Sequence, residues 1–167
     1  APKTSPSAAA KAEKQTPPAR GPATIGVYRP SALTFYLRNS NESGPADITA
    51  VFGEKGDLPL VGDWDGNGTE TVGVVRGTQW LLRNSNRAGF PVITFRFGTA
   101  GDRPVVGDWN GDGIDTAGMV DGNHWAIRNR NTTGTPANEF TFGRPNDRPI
   151  AGDTATSWDD PTILACG

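Results

Sequence analysis

The sequence is short of the residues on which many functional sites depend. Its 167 residues include one cysteine, Cys166, and one histidine, His124. The single cysteine, expected to be a free thiol, excludes disulfides within the chain and zinc sites built on cysteine. No apolar run approaches the roughly 18 residues that cross a bilayer, so no membrane span is expected. The net charge of −2 argues against nucleic acid as the main partner.

Glycine and proline are abundant in contrast, with 22 and 14 residues, which favours a fold rich in turns. Residues 1–22 contain no aromatic residue and no Val, Leu or Ile, and carry four basic side chains against one acidic. Such a segment buries too little apolar surface to become ordered, so we expect a disordered Pro/Ala/Lys-rich tail or linker. Because the chain starts with Ala-Pro and not with Met, we expect a processed start and a secreted or cell-surface protein.

Residues 23–167 repeat at an interval of 45 residues. Within each unit, apolar runs of about five residues alternate with polar side chains, which predicts strands with one buried face. The turns between the runs are too short for helical crossovers, so neighbouring strands should be antiparallel. Four such strands per unit are typical of a β-propeller blade. The repeat is marked by Phe-Gly pairs at Phe52, Phe97 and Phe142, Arg-Asn pairs at Arg38, Arg83 and Arg128, and Gly-Asp pairs at Gly62, Gly107 and Gly152.

The order of these runs predicts an all-β fold of about three propeller-type blades. An incomplete blade without its first strand spans 24–52, and complete blades span 58–97 and 103–142. A further first strand is predicted over 148–153 and a short strand over 162–166, which could complete the opening blade. Because propellers have about four to eight blades, we expect a homo-oligomer, such as a ring formed by two chains, or a filament; the alternative is that the chain is a fragment of a longer propeller.

A loop between the first two strands of each complete blade carries oxygen-bearing side chains at positions one, three and five, with glycines at four and six. A hard cation such as Ca²⁺ takes six to eight oxygen ligands, and glycines let a short loop wrap around it. A plain Asx-Gly turn is the alternative. A third loop, which starts at Asp153, lacks the glycines and is not expected to bind. The predicted ligands are Asp63, Asp65, Asn67, the Thr69 carbonyl and Glu70 in the first loop, and Asp108, Asn110, Asp112, the Ile114 carbonyl and Asp115 in the second.

Phe-Gly, then Gly-Asp, then an Asp-x-Asx-Gly-Asx-Gly loop resembles the FG-GAP/VCBS-type repeat of integrin-α-like β-propellers, over residues 23–167. The resemblance implies calcium held in loops between blade strands, and extracellular adhesion or ligand recognition. The usual loop of that family ends on an acid at position nine. Here Glu70 and Asp115 stand at position eight, whereas Thr71 and Thr116 stand at position nine, so either position could close the calcium shell.

The tryptophans have structural interpretations beside functional ones. Trp64 and Trp109, at position two of the loops, could contact a ligand or could pack on a neighbouring blade. Trp80 and Trp125 occupy the strand position that Phe35 holds in the first unit. Aromatic residues there are predicted to pack blade on blade rather than to stack on sugars.

His124 has Gln79 as its counterpart one repeat earlier, which predicts a polar strand position and not a catalytic base. The arginines at 38, 83 and 128 are predicted to hydrogen-bond a turn or an adjacent acid in each unit. The sequence therefore predicts an extracellular calcium-binding module for protein binding, adhesion or assembly, and not an enzyme. A lectin with sites between blades, or an accessory domain of a secreted enzyme, is the alternative, and the protein or glycan partner is not identified.

Overall fold

The computed structural model describes residues 21–152. Over this range the chain forms eleven strands in three antiparallel sheets and no helix. No helix that could span a membrane is found in the described part of the chain. The all-β architecture with antiparallel neighbours is confirmed, but these three sheets do not close into a ring, because faces of the first and third remain exposed.

Each sheet is built from consecutive strands. The first contains β1 (Gly26–Arg29), β2 (Thr34–Leu37) and β3 (Ile48–Val51). The second contains β4 (Leu58–Gly62), β5 (Thr71–Arg76), β6 (Gln79–Leu82) and β7 (Ile93–Arg96). The third contains β8 (Arg103–Gly107), β9 (Thr116–Asp121), β10 (His124–Ile127) and β11 (Asn138–Thr141). These bounds match one incomplete and two complete units.

The predicted strand over 148–153 is wrong for its described part. Residues 148–152 form no strand, and Ile150 is 76% exposed. A strand needs a neighbour to pair its backbone groups, and the sequence pattern does not show whether an edge lies within reach. The short strand predicted over 162–166, the Asp153 loop and Cys166 lie outside the described residues.

Two cores hold the sheets together, one on each face of the second sheet. Val72 and Val74 pack against Phe35 and its neighbours in the first sheet. Val75 and Trp80 belong to the core between the second and third sheets. Successive residues of β5 point to opposite faces, so one strand contributes to both cores. The prediction that these aromatic residues pack sheet on sheet is confirmed for Phe35 and Trp80, whereas Trp125 is only half-buried and belongs to neither core.

Two of the repeated arginines fix the loop that joins the last two strands of their sheet. Arg38 donates a hydrogen bond to the carbonyl of Pro45, and Arg128 donates one to the carbonyl of Thr135. Arg83 is buried, which lowers the pKa of its guanidinium. The predicted role in holding a turn is confirmed for Arg38 and Arg128.

A turn that starts at each Phe-Gly pair leads out of each sheet, and it depends on an aspartate that the sequence analysis missed. Its carboxylate Oδ2 accepts a hydrogen bond from the backbone N–H three residues earlier. The signal was present, because these aspartates also recur at intervals of 45. The bonds join Glu54 to Asp57 over 2.8 Å, Thr99 to Asp102 over 2.7 Å and Arg144 to Asp147 over 2.9 Å.

Candidate metal-binding loops

The first candidate loop begins where β4 ends, and its first residue is buried. The side chain of Asp63 is 1% exposed. Its Oδ1 accepts a hydrogen bond from the backbone N–H of Asn67 over 3.1 Å, and its Oδ2 accepts one from that of Gly68 over 2.7 Å. Gly66 and Gly68 have φ values of +72° and +85°, a region that favours glycine. The loop therefore wraps around the Asp63 carboxylate.

The second candidate loop, after β8, has the same pattern. Asp108 Oδ1 accepts a hydrogen bond from Asp112 N over 3.0 Å, and Oδ2 accepts one from Gly113 N over 2.7 Å. Gly111 and Gly113 have φ values of +70° and +89°. The two loops thus fold alike, although their intervening side chains differ.

Position five closes a smaller turn inside each loop. Asn67 Oδ1 accepts the backbone N–H of Thr69 over 2.8 Å, and Asp112 Oδ1 accepts that of Ile114 over 2.9 Å. Thr69 and Ile114, at position seven, therefore lie next to the position-five side chain, as expected if positions five and seven bind the same cation. Asx turns of this kind also stabilise loops without a metal, so the geometry satisfies the Asx-turn alternative as well.

Position three differs between the loops in charge and contacts. Asp65 is exposed, and its Oδ1 accepts a hydrogen bond from Asn67 N over 3.3 Å. In the second loop, Asn110 Nδ2 donates to Asp112 Oδ2 over 2.9 Å. Positions one, three and five together contain two carboxylates and one amide in each loop. Two carboxylates match the charge of one divalent cation, and carboxylate oxygens have lone pairs beyond those used here.

The acid at position eight of the second loop contacts the first loop. Asp115 is buried, and its Oδ2 accepts the backbone N–H of Asp63 over 2.8 Å. The backbone N–H of Asp115 donates in return to the Asp63 carbonyl over 2.8 Å. These two bonds join the second and third sheets at the loops. Glu70, the position-eight acid of the first loop, lies at an exposed position.

Position nine points into the sheet and not into the loop. Thr71 and Thr116 are buried, and their hydroxyls donate to the carbonyls of Arg83 and Arg128.

Asparagine side chains that the sequence analysis did not single out hold the residue that precedes the position-nine threonine or its counterpart. They recur at intervals of 45, each three residues after a repeated arginine. Their Nδ2 atoms donate from Asn41 to Ala23 O over 2.9 Å, from Asn86 to Glu70 O over 3.0 Å and from Asn131 to Asp115 O over 2.8 Å.

The two loop tryptophans have different surroundings. Trp64 is 3% exposed, belongs to the core between the second and third sheets, and donates from Nε1 to the Thr71 carbonyl over 3.1 Å. Trp64 therefore packs between two sheets, in agreement with its structural interpretation. Trp109 makes the equivalent bond to Thr116 over 3.1 Å but is only half-buried. His124 is exposed on β10, 3.8 Å from Glu139, as expected for a polar strand position.

Within residues 21–152, no three His, Cys, Asp or Glu side chains lie together as a metal-binding group. Comparison with protein-family models, with curated proteins and with solved structures finds no match for this chain. The resemblance to the FG-GAP/VCBS-type repeat stays a prediction.

Proposed function

We propose that the chain is an extracellular calcium-binding repeat module, of the FG-GAP/VCBS propeller type, that serves protein binding, adhesion or assembly. The observation that carries the proposal is the duplicated loop. Asp63 and Asp108 accept hydrogen bonds from the same two loop positions with the same geometry, although the residues between them differ. This duplicated geometry is what a common ligand in both complete units would require.

The donor set suits a weak site for a hard cation. Side-chain oxygens at positions one, three and five and the carbonyl at position seven provide four protein ligands, the acids Glu70 and Asp115 at position eight are the predicted fifth ligands, and water would supply the others. Such sites have dissociation constants of about 10⁻⁴–10⁻³ M in extracellular modules. They fill where calcium is near millimolar, which agrees with a secreted or cell-surface location.

In this proposal calcium stabilises the loops between strands and performs no chemistry. The first loop contacts the second loop, which leads into the third sheet, through Asp63 and Asp115, so a cation bound beside Asp63 would also strengthen the contact between two sheets. The module would then be stiffer in calcium than without it. Stiffness of this kind suits a protein whose surface must keep its shape to bind a partner.

Thermal unfolding in calcium and in chelator tests the proposal. Asp65→Asn removes the negative charge of one predicted ligand, and Asp65 is exposed with a single 3.3 Å hydrogen bond. Its melting temperature in chelator should therefore match the wild type, while the increase that calcium adds should be smaller. Glu42→Gln, at an exposed residue outside both loops, is the matched control and should keep the full increase. An unchanged melting temperature of the wild type on adding calcium would reject the proposal.

A further inference from the structure

The sheets stack within the chain by one repeated contact. An aromatic face of one sheet is covered by alternate residues of the second strand, β5 or β9, of the next sheet. Trp80, Phe95 and Phe97 of the second sheet are covered by Ala117 and Met119 of β9. Valines of β5 cover the aromatic face of the first sheet in the same way.

The third sheet has the same aromatic face, but no other sheet of the described chain covers it, and only residues 144–150 lie beside it in the same groove. Trp125 and Phe140 stack at 5.9 Å and 11°, much like Trp80 and Phe95 at 5.7 Å and 14°. Phe95 is 3% exposed, whereas Phe140 is 39% and Phe142 is 72% exposed. A groove of about 540 Å³ lies along this face.

The first sheet has the opposite half of the contact, also uncovered. Gly26 pairs with Leu37 as Gly73 pairs with Leu82, so Thr24-Ile25-Gly26-Val27 corresponds to Thr71-Val72-Gly73-Val74 in the second sheet. Ile25 and Val27 are 55% and 64% exposed, whereas Val72 and Val74 are fully buried. The chain thus exposes an aromatic half on its third sheet and a small aliphatic half on its first.

The first sheet also has an open position for a strand. Strand β1 forms its edge, whereas the corresponding β5 lies between β4 and β6. A groove of about 440 Å³ is lined by Ile25, Gly26 and Val27 of this edge. The sequence of the missing strand is present elsewhere: Arg148-Pro149-Ile150-Ala151-Gly152 matches the β8 sequence Arg103-Pro104-Val105-Val106-Gly107. Proline is tolerated there because the first strand is an edge strand.

We propose that two copies of this chain associate head to tail. The aromatic face of the third sheet of one copy packs on Ile25 and Val27 of another copy, and residues 148–152 pair with the edge of β1 in that copy. A second copy is the occupant because the contact continues the two sheet interfaces that the chain already has. The proposal rests on the blade-like stacking in the proposed function and not on calcium, so either can fail alone.

Substitutions on the two faces test the proposal with the full chain. Val27→Glu and Phe142→Glu place a charge on opposite halves and should each weaken self-association, measured by sedimentation equilibrium, by about tenfold or more. Phe90→Glu is the matched control, because Phe90 is 90% exposed in the loop between β6 and β7 and belongs to neither half. It should leave association unchanged.

A mixture of the two variants gives the decisive result. Each variant alone lacks one half of the contact, but the two variants together have one intact aromatic half and one intact aliphatic half. Tagged Val27→Glu should therefore capture untagged Phe142→Glu, while neither variant captures itself. A bismaleimide should also join Ile25→Cys to Ala151→Cys across copies in a Cys166→Ser background, because the β8–β9 register places Val106, the counterpart of Ala151, opposite Ala117. Two results would overturn the proposal. One is a wild type that stays monomeric at every concentration, even if it binds glycans through Trp125. The other is failure of the mixture to pair.

Discussion

Replacing the carboxylate at the centre of the first loop should destabilise the chain even without calcium. Asp63 is buried, and both of its oxygens accept loop N–H groups, over 3.1 and 2.7 Å. Asp63→Asn keeps one acceptor and turns an N–H₂ group toward the other donor, so one charge-assisted bond is lost. That loss costs about 1.5–3 kcal/mol. For a chain of this size the melting temperature should fall by roughly 3–12 °C.

The assay is thermal unfolding followed by circular dichroism, with chelator present throughout. Asp65→Asn is the matched control, since the same chemical change at an exposed position should alter stability by less than about 0.5 kcal/mol. If Asp63→Asn melts within a degree or two of the wild type, the loop does not depend on this carboxylate. If Asp65→Asn is equally destabilised in chelator, burial is not the reason for the difference.

Two other substitutions test an ion pair at the end of the second sheet and the core between the second and third sheets. Asp57→Asn should cost about 1.5–3 kcal/mol at neutral pH, because Arg76 hydrogen-bonds the Asp57 carboxylate and lowers its pKa. This contribution is present above the unfolded pKa of about 3.9 and is lost as the pH falls through the lower folded value, so urea unfolding should show the variant and wild type converging in acid. Asp102→Asn is the control, because Asp102 corresponds to Asp57 one repeat later and Asp121 occupies the position of Arg76, so no such ion pair forms. An equal loss of stability in Asp102→Asn would contradict the ion-pair explanation. Met119→Ala, in the core between the second and third sheets, should cost about 2–4 kcal/mol in the same assay, and a loss below 1 kcal/mol would show that this interface contributes little.

The strands and the loop shape were predictable because they depend on local sequence. Alternation in Val92–Phe97 indicates a strand with one buried face, and β7 forms there. Gly66 and Gly111 stand where the loops need positive φ, which few other residues adopt at low cost. Signals of this kind lie within a few residues of the structure that they specify.

The contact between Asp115 and Asp63 was not predictable in the same way. These residues lie 52 positions apart and meet only because the third sheet packs on the second. The sequence gives the acid at position eight but not the loop that it faces. Residues 148–152 illustrate the same limit, since their pattern matches a strand but pairing depends on an edge elsewhere.

Direct measurement of calcium binding tests the central claim. Equilibrium dialysis with radioactive calcium should show two sites per chain with dissociation constants of about 10⁻⁴–10⁻³ M. At about ten times that constant, each site should add roughly 1.4 kcal/mol to the free energy of unfolding. The doubly substituted Asp65→Asn/Asp112→Asn chain should bind at least tenfold more weakly. Binding by the wild type that is no stronger than that of the double variant would contradict the account.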